Sequence, residues 1–266
     1  MKRITLSETG IKDLAEFDWI KYFKYNNANL FKLDFNLTGE LTREELAMIS
    51  PSIRAFQIGE GSEGKHLRMT VKKFADRTHD PEYDEIMKWF ILEENRHSQT
   101  LKKYMDIYGI KTANRIWIDT IFRTLRKLMG LECEVTVLVT AEMIALSYYT
   151  ALSNDTQSKL LKTICAQMLN DELKHVVLQS HTLHKISKHR KSMLNRIART
   201  LRNVIMKITC FVVWHKYKTL FITGQYPYQR FRTDCLAYLN ESIYIERNGT
   251  ILEETKLEEK GRFDET

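Results

Sequence analysis

Four stretches of this chain repeat apolar residues at alternating steps of three and four, and each interrupts its stripe with a carboxylate. Those steps place side chains on one face of an α-helix that packs against other helices. The first stretch carries Ile53, Phe56, Glu60, Glu63, Leu67 and Val71. The second carries Tyr83, Met87, Phe90, Glu94, His97, Leu101 and Tyr104. The third carries Val135, Leu138, Glu142, Ala145, Tyr149 and Leu152, and the fourth Leu161, Cys165, Met168, Glu172, His175 and Gln179. With only 10 Gly and 3 Pro among 266 residues, the pattern predicts an all-α fold built on a four-helix bundle.

Proline and glycine punctuate the helices. Ser50-Pro51 and Asp80-Pro81 each place a capping residue before a proline suited to the first helical position. They predict helices over about 51–74 and 81–107, with Gly109 as a stop. A shorter helix is expected over 113–128, ending near Gly130, then a third long helix over 131–153. Asn154-Asp155 reads as the turn and cap of a fourth, over 156–186. A basic helix over 193–221 and a short one to about Leu239 complete the C-terminal part. Upstream, 17–26 suits a short helix and 29–39 a loop or short strand. The expected division is an N-terminal extension (1–49), the bundle (50–186), a basic helical extension (187–240) and a charged tail (241–266).

A buried carboxylate without a partner costs on the order of several kcal/mol, and four facing one another also repel. Two divalent cations resolve both costs: four carboxylates supply the neutralising charge, and neutral histidines complete the coordination. Glu94 with His97, and Glu172 with His175, are three residues apart, so each pair lies on one helix face and can reach one metal. Glu60 and Glu142 supply the carboxylates of the other two helices. Such a set is that of carboxylate-bridged di-metal bundles, and its mixed nitrogen and oxygen donors suit iron, with manganese the alternative. Glu63 competes with Glu60 as the first-helix ligand; Gly59 and Gly61 favour Glu60 by permitting close approach. His66 reads as a surface residue. Asp171 and Glu93 are placed to orient a ligand histidine through its other ring nitrogen. Tyr104, Tyr148 and Tyr149 read as core.

The run Glu93-Glu94-Asn95-Arg96-His97 resembles the EENRH motif of soluble acyl-carrier-protein desaturases, and Asp171-Glu172-Leu173-Lys174-His175 resembles their DExRH motif. The likeness extends over about 50–184 in helix order. More broadly the chain is similar to the ferritin-like superfamily, which includes bacterioferritins, rubrerythrins, N-oxygenases and a tRNA hydroxylase. The resemblance implies a ferritin-like bundle with a crossover, near Ile116–Leu125, and additional C-terminal helices. It also implies two iron ions bridged by Glu94 and Glu172, and an oxidoreductase that activates O2 to hydroxylate, desaturate or N-oxygenate a small-molecule or carrier-bound substrate. Electrons would come from an external donor, because no flavin or nicotinamide motif is present. Ala145 stands where desaturases carry a threonine, and Met168 where N-oxygenases add a histidine. Iron handling as a ferroxidase is the alternative, and a tRNA- or membrane-binding helical protein a further one.

Charge is segregated. Between Leu173 and Thr233 there are 13 lysines and arginines and no acid, leaving 28 basic against 34 acidic residues elsewhere. Arg196, Arg199 and Arg202 form a basic row opposite an apolar stripe of Leu194, Ile197, Ala198, Leu201, Val204 and Ile208. That row is the expected site for an acidic partner: an acyl carrier protein, tRNA or anionic lipid. A homodimer is compatible with the pattern. The four cysteines have no CxxC spacing, which argues against a zinc site and suits a reducing compartment. No apolar leader is visible, and 204–214 is too short to span a bilayer, so a cytoplasmic location is expected.

Overall fold

The computed structural model describes residues 3–37, 41–61, 65–112, 130–188 and 190–252, and among them there is no strand. A 3-10 turn (Leu6–Thr9) precedes α1 (Trp19–Ala28), α2 (Arg43–Glu60), α3 (Lys65–Thr78), α4 (Pro81–Ile107) and α5 (Leu131–Asp155). Then follow α6 (Lys159–Ser187), α7 (Ser192–Lys216), α8 (Lys218–Thr223) and α9 (Tyr228–Asn248). The expected helix over 113–128, its crossover role, and Glu63 lie outside the described residues.

Side-chain oxygens set several helix starts by accepting otherwise unpaired backbone amides. Asp80 accepts from the Tyr83 amide with Pro81 in the first turn, as expected. Gly109, with φ +66°, follows the end of α4. The single helix expected over 51–74 is divided between α2 and α3, and two starts differ from expectation. Thr42 caps α2 by accepting from the Glu45 amide, and the helix runs through Pro51 rather than beginning there. The Ser50 hydroxyl donates to the Leu46 carbonyl in the turn before that proline. At the other, α5 continues through Asn154 and Asp155, and Ser158 caps α6 by accepting from the Leu161 amide. The basic helix ends at Lys216, with α8 a separate short piece, and α9 continues well beyond Leu239 to Asn248. Residues 29–37 form loop and turn.

The connection between α5 and α6 is only three residues long, so these helices fold back on each other as an antiparallel pair. α4 packs against α2, α3 and α6, while α1 lies on α4 and α9 on α6 and α5. α2 meets α5 through the Phe56 and Tyr148 rings, stacked with centroids 3.6 Å apart, and through the Tyr148 hydroxyl, which donates to Ser52 Oγ at 3.1 Å. Gly61 has a physical role here: a Cβ would come within 2.7 Å of Ser98 Oγ on α4. Gly59 faces open space and needs no such explanation.

One apolar core runs through the molecule, from Leu6 and Phe23 near the N-terminus to Tyr238 and Ile245 on α9. At its centre lies α5, which is long and apolar enough to cross a membrane by length and composition, though most of it is buried inside the protein. Among the described residues this is the one helix that meets that length and composition; 204–214 does not.

Candidate metal centre

Glu60 is the last residue of α2, whereas Glu94 and His97 lie midway along α4, Glu142 midway along α5, and Glu172 and His175 midway along α6. Interior helical positions hold side chains more rigidly than loops do, which favours a defined geometry. All six residues are buried, Glu172 and His175 completely. The structure brings them together as two overlapping sets. One is Glu60, Glu94, His97 and Glu172; the other is Glu94, Glu142, Glu172 and His175. Within each set one donor atom per residue lies within 4.8 Å of every other, so each could hold a metal ion. Glu94 and Glu172 belong to both, as a bridging pair must.

The two imidazoles point the same edge inward. His97 Nδ1 lies 3.4 Å from Glu172 Oε1, 3.6 Å from Glu94 Oε1 and 3.9 Å from Glu60 Oε2. His175 Nδ1 lies 3.0 Å from both Glu94 Oε1 and Glu172 Oε2, and 4.0 Å from Glu142 Oε2. The ring centroids are 5.7 Å apart. Three of the inward atoms, Glu94 Oε1, His97 Nδ1 and Glu172 Oε1, are buried without a hydrogen-bond partner. Buried polar atoms are almost always paired, so three converging orphans in a ring of carboxylate and imidazole donors fit a metal pair.

The outward nitrogens are tied down by a crossed pair of acids. Asp171, beside Glu172 on α6, sits 2.9 Å from His97 Nε2 on α4. Glu93, beside Glu94 on α4, sits 2.9 Å from His175 Nε2 on α6. A carboxylate on Nε2 fixes the proton there and leaves the Nδ1 lone pair directed inward, the state a ligating histidine needs. Both acids therefore occupy the orienting positions expected of them.

Three further residues brace this arrangement. Arg96 Nη2 donates to Glu93 Oε1 at 2.7 Å and to Asp171 Oδ2 at 2.9 Å. Asn26 Nδ2 on α1 donates to Glu93 Oε1 at 2.6 Å and to Asp171 Oδ1 at 2.8 Å. Gln167 Nε2 donates to both Asp171 oxygens. No local sequence pattern gives any of the three a role. Arg96 lies inside the motif already quoted; Asn26 is far away in sequence, and nothing marks it before the fold is known. Tyr149, read as core, has a polar role as well: its hydroxyl donates to Glu60 Oε1 at 2.5 Å. His66 is partly exposed and pairs through Nδ1 with buried Glu134, at the far end of α5 from Tyr149.

The electrostatics follow from crowding. Burial, then the charges of Glu172 and Glu94, push the Glu60 and Glu142 carboxyls well above the usual range. Burial alone would lower both histidines. Instead the hydrogen bond of His97 to Asp171 and the charges of Glu172 and Glu94 beside it raise His97, and the hydrogen bonds of His175 to Glu172 and Glu93 with the Glu172 charge raise His175. Burial opposes ionisation of Asp171, yet its hydrogen bond to His97, with the His97, His175 and Arg96 charges, holds it down to about 2. Glu172 is also lowered against its burial, by its carboxyl neighbour Glu142, by its hydrogen bond with His175 and by the His175 charge. Without a metal, protons carry the positive charge this cluster requires; divalent cations would displace them.

The class the fold and site define is a helical bundle with a buried glutamate and histidine cluster able to hold metal ions. No protein-family model, curated protein or solved structure matches the chain.

Proposed function

We propose that the chain is a ferritin-like di-iron oxidoreductase that uses O2 to hydroxylate, desaturate or N-oxygenate an organic substrate. The observation that carries this reading is the pair of overlapping donor sets sharing Glu94 and Glu172, with each histidine held from behind by an acid of the opposite helix. Glu60 and His97 would bind one iron, Glu142 and His175 the other, and Glu94 and Glu172 would bridge them. When bound and reduced, such an iron pair supplies the electrons and the Lewis acidity for reaction with O2. Manganese is the competing metal for the same donors.

The chain's own residues do the remaining work. Asp171 and Glu93 hold the imidazole protons on Nε2, Arg96 offsets the negative charge of those two acids, and Asn26 satisfies one oxygen of each by hydrogen bonding. The Tyr149 hydroxyl donates to Glu60, steering that carboxylate and holding a proton beside it. Phe90 packs its edge on His175, with ring centroids 4.8 Å apart, and Phe23 lies behind; together they keep water from this side of the site. A water-poor pocket protects a strong oxidant and strengthens every charge interaction inside it.

The test is reconstitution with ferrous iron followed by a chemical reductant and O2. The reading expects O2 uptake to depend on iron loading and to fall at least about 100-fold in Glu172→Ala. Uptake that is indifferent to iron or to this substitution refutes it. Uptake that deposits ferric mineral in a hollow assembly, with no organic substrate consumed, replaces it with the ferroxidase reading.

A further inference from the structure

The sequence places an apolar stripe on α7 opposite a row of arginines, and the structure turns the apolar side outward. Arg202 is buried against Glu246 of α9, and Arg199 Nε lies 3.3 Å from the same carboxylate. Leu194, Ile197, Leu201, Val204, Ile208 and Phe211 are all exposed, by 46% to 58%, and Met193 by 72%. Their spacing of three, four, three, four and three makes one unbroken row. From Met193 to Phe211 it extends about 27 Å at 1.5 Å per residue. Isolated exposed apolar residues are ordinary; a continuous row of this length marks an interaction surface.

We propose that this face of α7 seats the protein on an anionic phospholipid surface, lying in the plane of the headgroups without crossing the bilayer. Charge decides the occupant. Lys188, Lys191, Arg196, Lys207 and Lys218 are exposed on α7 or beside its ends, and the segment 173–233 holds no acid to pair with them. A second copy docked on the same face would bring these cations against their own equivalents. An anionic leaflet instead offers hydrocarbon to the apolar row and negative headgroups to its basic flanks. Aromatic rings gather at the C-terminal end of the row. Phe211 and His215 are exposed with centroids 4.0 Å apart, and the partly exposed Tyr228 lies 5.4 Å from His215. An amphipathic ring such as that of Tyr228 favours the level of the headgroups.

The full-length chain is sedimented with vesicles of phosphatidylcholine alone and with vesicles containing about 30% phosphatidylglycerol. Binding is expected to be at least about tenfold tighter with phosphatidylglycerol and to weaken with salt, each basic residue at the surface being worth about fivefold. Leu201→Glu with Ile208→Glu should lower binding at least about tenfold, with helicity and melting unchanged because both side chains already face water. Arg196→Glu with Lys207→Glu should remove the preference for phosphatidylglycerol. The proposal is overturned by a chain that ignores both vesicles, or by a Leu201→Glu, Ile208→Glu variant that binds as tightly as the parent. It is equally overturned by a dimer that this variant splits and that does not bind lipid, which assigns the face to a second copy. Metal loading plays no part in these measurements, so their outcome is independent of the di-iron reading.

Discussion

The centre of the bundle and the outer face of α7 depart in opposite directions from the usual division of polar and apolar groups. At the centre, Glu60, Glu93, Glu94, Glu142, Asp171 and Glu172 are buried where apolar side chains would normally pack. On α7, six large apolar side chains in register face water. The same helical periodicity underlies both. Each departure costs stability in the isolated chain, and on the readings proposed above each cost would be removed by something outside it: cations between the helices in one case, a surface of complementary chemistry in the other. The difference lies in rigidity. The acids are cross-braced by Arg96, Asn26 and Gln167, whereas the apolar row of α7 is about half exposed along its length.

The largest expected effect comes from removing a brace. Asp171→Ala leaves Arg96, Asn26 and the His97 Nε2 edge without their shared partner. It should destabilise the protein by about 3–5 kcal/mol, as measured by denaturant unfolding. Metal affinity should also fall about 10- to 100-fold by competition with a chelator. A loss within about 0.5 kcal/mol would show that the crossed acids are not structural.

The next effect is on pH dependence without metal. Glu60, Glu142, His97 and His175 bind protons more tightly folded than unfolded. The stability they confer is present at low pH and is lost as pH rises through their raised folded values. Asp171 and Glu172 act in the opposite sense, losing their contribution as pH falls towards their lowered folded values. Metal-depleted protein should therefore be most stable near about pH 5 and lose about 2 kcal/mol or more by about pH 8. Added ferrous or manganous ion should flatten that decline by replacing the protons. Melting curves across pH, with and without metal, check both signs.

Two smaller effects sharpen the contrast. Gln179, one turn beyond His175, is fully buried with neither amide atom paired. Gln179→Leu should raise the stability of the metal-free protein by about 1 kcal/mol in thermal unfolding, since it removes an unsatisfied buried amide. Leu201→Glu on α7 should change stability by less than about 0.5 kcal/mol in the same assay, because Leu201 is 53% exposed and little packing is lost. A large loss there would mean that the α7 face is covered.

Which parts were legible in the sequence follows from the kind of information each needs. Glu94, His97, Glu172 and His175 could be read because ligand pairs three apart on an apolar stripe are local patterns. The bounds of α4 coincide with expectation because Asp80 and Pro81 act within one turn. Pro51 misled because it matches a helix start equally well in isolation, and only Thr42, two turns earlier, shows otherwise. Asn26 was invisible because its partners Glu93 and Asp171 are 67 and 145 residues away. On α7 the periodicity gives two faces, but the side that turns inward is decided by Glu246 on another helix.

The most direct test of the central claim is a count of metal per chain by anaerobic titration of metal-depleted protein with ferrous iron, with X-ray absorption giving the separation of the bound ions. The account predicts two irons about 3–4 Å apart in the parent chain and loss of the paired signal in Glu172→Ala. Binding of no iron, of a single iron, or of two irons that Glu172→Ala leaves undisturbed would contradict it.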